Sequence, residues 1–131
     1  MTKAGSVLLD TSIIIDYVRG DSSLRPQFAA AAELYVPLVV LGELHYGAQR
    51  ANRRTEALGR VREFLEIATL LLPDERTAEL YGDVKAELAR VGKPIPENDL
   101  WVAAAAMQHQ MPVATRDAHV AVVPRLETLD W

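Results

Sequence analysis

No cysteine occurs among the 131 residues. Disulfide staples, thiolate zinc sites and cysteine nucleophiles are thereby excluded. Lysine is scarce: Lys3, Lys85 and Lys93 stand against eleven arginines. Positive charge as a whole falls short, with 14 Lys and Arg against 18 Asp and Glu, a net charge of −4. A chain that wraps nucleic acid through a broad basic surface is therefore excluded, and any phosphate contact must be local. No uninterrupted apolar run approaches the ~18 residues that span a bilayer. The apolar run that follows residues 1–6 meets Asp10 too soon for a secretory signal. Glycine and proline number seven each, too few for a low-complexity chain. What remains is half hydrophobic and 24% charged, a globular composition. The length suits one domain over residues 1–131. A soluble cytoplasmic protein is expected.

Residues 6–10 form an apolar run ending in a carboxylate and read as a buried strand. Thr11 and Ser12 are helix-entry residues, and Ile13, Ile14, Tyr17 and Val18 recur at helical spacing up to Gly20. A second helix is expected from Asp21 or Ser22 through Glu33, then a strand over 34–36 closed by Pro37. A helix over 38–49 carries Leu38, Leu41, Leu44 and Ala48 as its apolar positions. A charged helix over 53–68 and a strand over 69–72 follow. The clearest helix spans 74–91, with Leu80, Tyr81, Val84, Leu88 and Val91 as its stripe and Gly92 as its stop. Glu97-Asn98-Asp99 opens an alanine-rich helix to Gln110, residues 112–115 form a core strand, and residues 127–131 add an edge strand. Alternating strands and helices predict an α/β domain, helix-rich, with a short, mainly parallel sheet flanked by helices. Such sheets gather their chemistry beyond the carboxyl ends of their strands.

That rule singles out four acids. Asp10 ends the first strand, Asp117 follows the last parallel one, Glu43 sits among apolar neighbours, and Asp99 opens an apolar helix. Each has an ordinary reading too. Asp10 suits a helix N-cap, Asp99 answers a helix dipole, and Asp117 is a common turn residue. Glu43 resists dismissal, because an ionised Glu is rarely buried without a partner. Taken together the four behave differently. Two carboxylates ~4 Å apart repel by about 4 kcal/mol at an effective dielectric of 20. Arg116, the one cation close in sequence, does not balance four acids. Hard divalent ions do, and an all-oxygen site suits Mg²⁺ or Mn²⁺. Such a site is suited to phosphoester hydrolysis.

The four segments in order are Leu9-Asp10-Thr11-Ser12-Ile13-Ile14-Ile15-Asp16-Tyr17, Val40-Leu41-Gly42-Glu43-Leu44-His45-Tyr46-Gly47, Pro96-Glu97-Asn98-Asp99-Leu100-Trp101-Val102-Ala103-Ala104 and Val113-Ala114-Thr115-Arg116-Asp117-Ala118-His119. With their spacing, they resemble PIN-domain ribonucleases, specifically the VapC-type toxins of bacterial toxin–antitoxin pairs. The resemblance covers nearly the whole chain. Two positions depart from it: Val120 stands where the family often has Phe, and Arg116 where it often has Asn. Neither removes an acid. The resemblance implies a single PIN-like domain and a metal-dependent endoribonuclease. Asp10, Glu43, Asp99 and Asp117 would hold one or two Mg²⁺ or Mn²⁺ ions. Asp10 and Asp99 would be the closest ligands, with Glu43 and Asp117 acting through water or at a second position. It further implies an RNA substrate, a homodimer, and a cognate antitoxin whose C-terminal segment reaches the acidic site. Exposed apolar surface on the early helices and on the helix over 74–91 would serve both interfaces.

Thr11, Ser12 and Thr115 are candidates for orienting the carboxylates, and equally for capping and turn hydrogen bonds. Arg50, Arg53 and Arg54, with Arg60 and Arg62, form the one basic cluster. With Arg116 they are candidates for RNA phosphates, or a solvated helix face paired to Glu56, Glu63 and Glu66. His45, His109 and His119 are scattered and read as structural. Asp16 reads as a salt-bridge residue, and Trp101 as core. Two competing functions are weighed. A dehalogenase-type phosphatase wants a second Asp two residues after Asp10, where Ser12 stands. A non-catalytic RNA- or protein-binding module on the same fold has no need of all four acids.

Overall fold

The structure is a computed structural model that describes residues 5–131. The part of the signal-sequence expectation that rests on residues 1–4 lies outside the described residues. In chain order the elements are β1 (Ser6–Leu9), α1 (Thr11–Val18), α2 (Leu24–Ala30), β2 (Glu33–Pro37), α3 (Leu38–Gln49) and α4 (Arg54–Phe64). They continue with β3 (Thr69–Leu71), α5 (Glu75–Arg90), α6 (Glu97–His109), β4 (Val113–Ala114), α7 (Ala118–Ala121) and β5 (Thr128–Leu129).

The five strands form one sheet in the order β3-β2-β1-β4-β5, and every pairing is parallel. Leu8 sits opposite Tyr35 on one side and Val113 on the other. All four residues of β1 are buried, as a central parallel strand covered on both faces requires. The chain lays β2 and β3 to one side of β1, then returns to place β4 and β5 on the other. The order therefore reverses between β1 and β4. In open α/β sheets the carboxyl ends of the strands at such a switch point are where ligands gather.

The alanines of α6 set the depth of the fold. Val102 through Ala106 are buried, and their short side chains let the helix backbone lie close to its neighbours. On one side α6 joins Val84 and Leu88 of α5 through Leu100 and Ala103. On the other, Val102 and Ala106 enter the main core with Leu8, Leu9, Ile13, Ile14 and Val36. We expect Ala103→Leu to overpack this contact and cost about 1–3 kcal/mol in urea unfolding. An unchanged midpoint would show that α6 has slack.

Several boundaries differ from the sequence expectation. The second helix is shorter at both ends. Asp21 accepts hydrogen bonds from the Ser23 backbone N–H and hydroxyl, so it builds a turn instead. Glu33 belongs to β2 because it pairs with Ser6. In α3 the buried stripe is Val40, Leu44 and Ala48, while Leu38 is 44% exposed. Spacing at i, i+4 and i+8 replaces the expected i, i+3, i+6 and i+10. Helix α4 stops at Phe64, four residues early. In α5 the buried stripe is Thr77, Leu80, Val84 and Leu88; Val91 caps the end and is exposed. The single turn of α7 was not anticipated.

Candidate active site

Asp10 leaves the end of β1 and caps α1. One oxygen accepts from the Thr11 N–H at 2.8 Å, and the other from the Thr115 hydroxyl at 2.7 Å. Its own N–H donates to the carbonyl of Ala114, which pins the ends of β1 and β4 together. Burial raises its carboxyl above the usual range, and the charge of Asp117 adds to this against the lowering effect of both hydrogen bonds. The expected helix N-cap is thus present, and the same contacts hold the Asp10 carboxyl beside Asp117.

Asp99 lies in the first turn of α6 and is 2% exposed. Its Oδ2 is buried with no hydrogen-bond partner. Burial, then the charges of Asp117 and Asp10, push its carboxyl up to about 7. Asp117 caps α7 and accepts from the His119 N–H at 2.9 Å. The Asp117 N–H donates to the Thr115 oxygen at 3.0 Å, so Thr115 accepts from one acid's backbone and donates to another acid's side chain. Asp10, Asp99 and Asp117 therefore share one electrostatic neighbourhood.

Glu43 stands behind them on α3 and is half-buried. The Thr11 hydroxyl donates to its Oε1 at 2.8 Å, and the Asn98 amide to its Oε2 at 2.9 Å. Each donor is the chain neighbour of another acid. Glu43 is thereby tied to Asp10 through Thr11 and to Asp99 through Asn98. Ser12 differs from the two threonines, because its hydroxyl accepts from the Arg116 N–H at 3.1 Å and touches the β4–α7 loop instead.

The Arg116 guanidinium donates to Asp16 at 2.6 Å, Asp21 at 2.9 Å and the Trp131 carbonyl at 2.9 Å. It is thus engaged by acids outside the cluster, and Asp16 is the salt-bridge residue expected. Arg50, Arg53 and Arg54 are exposed at the α3–α4 connection. Arg50 lies over the Tyr46 ring at 4.8 Å, and Arg53 pairs with Glu56 at 3.7 Å. Trp101 stacks on Tyr81 with ring centres 4.1 Å apart.

The sequence reading missed two residues. Asn98 adjoins Asp99, but its partner Glu43 is 55 positions away and no local pattern marks the contact. His119 was read as structural, yet its Nδ1 lies 2.9 Å from Asp117 Oδ1 and 3.7 Å from Asp99 Oδ2. The one signal available for it was its place two residues after Asp117, within the same turn.

The donors fit a hard divalent cation. Ligand atoms of Asp99, Asp117 and His119 lie within 4.8 Å of one another. Oxygen predominates, and the buried, unpartnered Asp99 Oδ2 lacks the positive partner that an ionised carboxylate needs.

A second feature lies at the carboxyl ends of β2 and β3. An apolar groove of about 440 Å³ is walled by Pro37, Leu38, Leu72, Pro73, Trp101 and Ala105. Leu72 at its rim is 65% exposed. Among the described residues no helix is long and apolar enough to cross a membrane.

A parallel α/β sheet with carboxylates from separate elements gathered at its switch point defines a class of domain with an acidic site beyond its strand ends. The chain belongs to the PIN domain family, whose profile matches residues 7–126. Ribonuclease VapC2 of Haemophilus influenzae is 33% identical over 99 residues, which cover 74% of this chain and 75% of that protein. Ribonuclease VapC4 of Mycobacterium tuberculosis is 31% identical over 127 residues, covering 93% of this chain and 94% of its own. A solved DNA-bound VapBC from Salmonella typhimurium matches with a TM-score of 0.85 at 25% identity, over 100% of this chain and 99% of that one. The fold and family expected from the four segments are thus confirmed.

Proposed function

We propose that this protein is a divalent-metal-dependent endoribonuclease of the VapC toxin type, restrained by a cognate antitoxin. The single observation that carries the chemistry is Asp99 Oδ2, buried, without a hydrogen bond, and facing other acids. Asp10, Asp99 and Asp117 would hold Mg²⁺ or Mn²⁺, with Glu43 acting through water or at a second position. When bound, the ion would supply an acidified water for attack on a phosphodiester near neutral pH and positive charge against that developing on the phosphate. The chain's own side chains do the positioning. Thr115 fixes the Asp10 carboxylate and the backbone of Asp117 at once. Thr11 and Asn98 fix both oxygens of Glu43. Burial of Asp10 and Asp99 keeps bulk water from screening their charges. With water as the nucleophile, no 2′-OH would be needed for the attack.

Glu43 and Gly47 share one face of α3, Arg50 at its C-cap continues the i, i+4, i+7 spacing, and Gly47 places no side chain between them. We assign Arg50, Arg53 and Arg54 to RNA phosphates on this track. Arg116 we assign to bracing α1 through Asp16 and the turn after it through Asp21. The triple variant Arg50→Ala, Arg53→Ala, Arg54→Ala is expected to raise KM for RNA about tenfold or more, with kcat held and a shallower salt dependence. A lower kcat at unchanged KM would remove the arginines from substrate binding.

The apolar groove and its exposed leucine rim are the surface we assign to protein partners, the antitoxin and a second copy of the chain. A phosphatase reading finds no support, since the Ser12 hydroxyl at the diagnostic position is bound to the Arg116 backbone. The direct test is cleavage of tRNA and rRNA by antitoxin-free protein with Mg²⁺ or Mn²⁺. Cleavage abolished by EDTA and restored by the ion supports the reading. Metal-dependent RNA binding without cleavage would favour the binding module instead.

A further inference from the structure

We propose that His119 is a nitrogen ligand of the cation site, and that it biases this chain toward Mn²⁺ or Co²⁺ over Mg²⁺. The inference rests on the metal site assigned above and specifies its selectivity.

Three observations carry it. First, the ring presents Nδ1 to the acids, 2.9 Å from Asp117 Oδ1 and 3.7 Å from Asp99 Oδ2. Among the described residues the carboxylate oxygens within 4.0 Å of its ring nitrogens belong to these two acids alone. Second, the backbone fixes this presentation. Asp117 caps α7, and the His119 N–H donates to the same Asp117 oxygen that the ring faces. A one-turn helix thus delivers a carboxylate and an imidazole to one point. Third, Asp99 Oδ2 is aimed into that point from α6, with its side chain 3% exposed and no hydrogen-bond partner. A histidine serving only the core would be packed away, whereas the His119 side chain is 58% exposed and open to an incoming ion.

The selectivity follows from ligand chemistry. Mg²⁺ is a hard ion that takes oxygen and retains its waters, so it gains little from an imidazole. Transition ions accept an imidazole nitrogen more readily than Mg²⁺ does, Co²⁺ more strongly than Mn²⁺, which otherwise shares the oxygen preference of Mg²⁺. Asp10, Asp99 and Asp117 alone would serve Mg²⁺ well. Adding His119 moves the preference along the series.

The test uses antitoxin-free full-length protein. Calorimetric titrations with Mn²⁺, Co²⁺ and Mg²⁺ are run on the wild type, His119→Ala, His119→Gln and Asp99→Asn. Pulsed electron paramagnetic resonance of the Mn²⁺-loaded wild type reads directly coordinated nitrogen. The expected result is a nitrogen coupling in the wild type that disappears in His119→Ala. Affinity for Mn²⁺ and Co²⁺ should fall on the order of ten- to a hundredfold, the scale on which the supports of metal ligands act. Mg²⁺ affinity should change by less than about threefold. Mn²⁺ binding that depends on Asp99 but shows no nitrogen coupling overturns the proposal and leaves the acidic site standing. So does an equal loss for all three ions, which would make His119 a support for Asp117. A folded wild type that binds none of the ions overturns the site assignment together with this inference.

Discussion

Asp99→Asn is expected to remain folded, to bind no Mn²⁺ by calorimetry, and to cleave RNA on the order of a thousandfold more slowly. The substitution keeps the shape of the side chain and removes its charge. In the wild type Asp99 Oδ2 has no hydrogen bond to lose, so the structural effect is small. The functional effect is large because this carboxylate is influenced by the charges of Asp117, Asp10 and His119 and its Oδ2 has no hydrogen bond. Asp10→Asn should lose the metal as well, with more structural disturbance. An amide at position 10 would turn its NH₂ toward either the Thr11 N–H or the Thr115 hydroxyl, both of which now donate to the carboxylate. Glu43→Gln should do least, weakening Mn²⁺ by about tenfold. Its partner Thr11 has a hydroxyl that can rotate from donor to acceptor. Calorimetry beside single-turnover cleavage measures all three. Retained Mn²⁺ affinity in Asp99→Asn would move the ion away from α6 and sink the assignment.

The residues that were legible in the sequence are those whose position follows from local pattern. Asp10 follows a short apolar run, so the end of a buried strand was readable, and the rule for open parallel sheets did the rest. Helix α3 came out with the expected limits because Pro37 and the apolar spacing bound it locally. Its phase did not, since the face that turns inward is decided by contacts with the sheet. The alanines before Glu33 favour a helix by propensity, yet Glu33 joins β2 because β1 needs a partner there. Asn98 and His119 escaped for a related reason. Each acts on an acid brought near by the fold, Glu43 for one and Asp99 for the other, and no spacing in the chain announces either contact. Arg116 shows the converse. A lone cation beside an acidic motif invites a substrate role, while the fold gives it Asp16 and Asp21, about a hundred positions away.

The metal-free protein is expected to lose stability as pH rises from about 4 to above 7, and Asp99→Asn is expected to abolish most of that loss. The Asp99 carboxyl is raised from 3.8 to about 7 in the folded chain. Below about pH 4 both folded and unfolded states hold the proton, and Asp99 contributes nothing to the balance. Between the two values the unfolded chain has released it while the folded chain still binds it, so each step up in pH favours unfolding. Above 7 both are ionised, and the folded state carries the full cost of a buried charge facing Asp10 and Asp117. Asp10, also raised, acts in the same direction. Asp21, Asp74 and Glu97 are lowered and work oppositely, but their contributions change below the ordinary carboxylate range and are constant from pH 5 to 8. Urea unfolding in EDTA should therefore show Asp99→Asn more stable than the wild type at pH 8 and nearly equal to it at pH 4. Saturating Mn²⁺ should restore the wild type at pH 8 and leave the variant unmoved, because an ion that binds only the folded state stabilises it by mass action. A metal-free wild type with flat stability from pH 5 to 8 would mean that the acids are already compensated. The case for a cation at this site would then lose its physical basis.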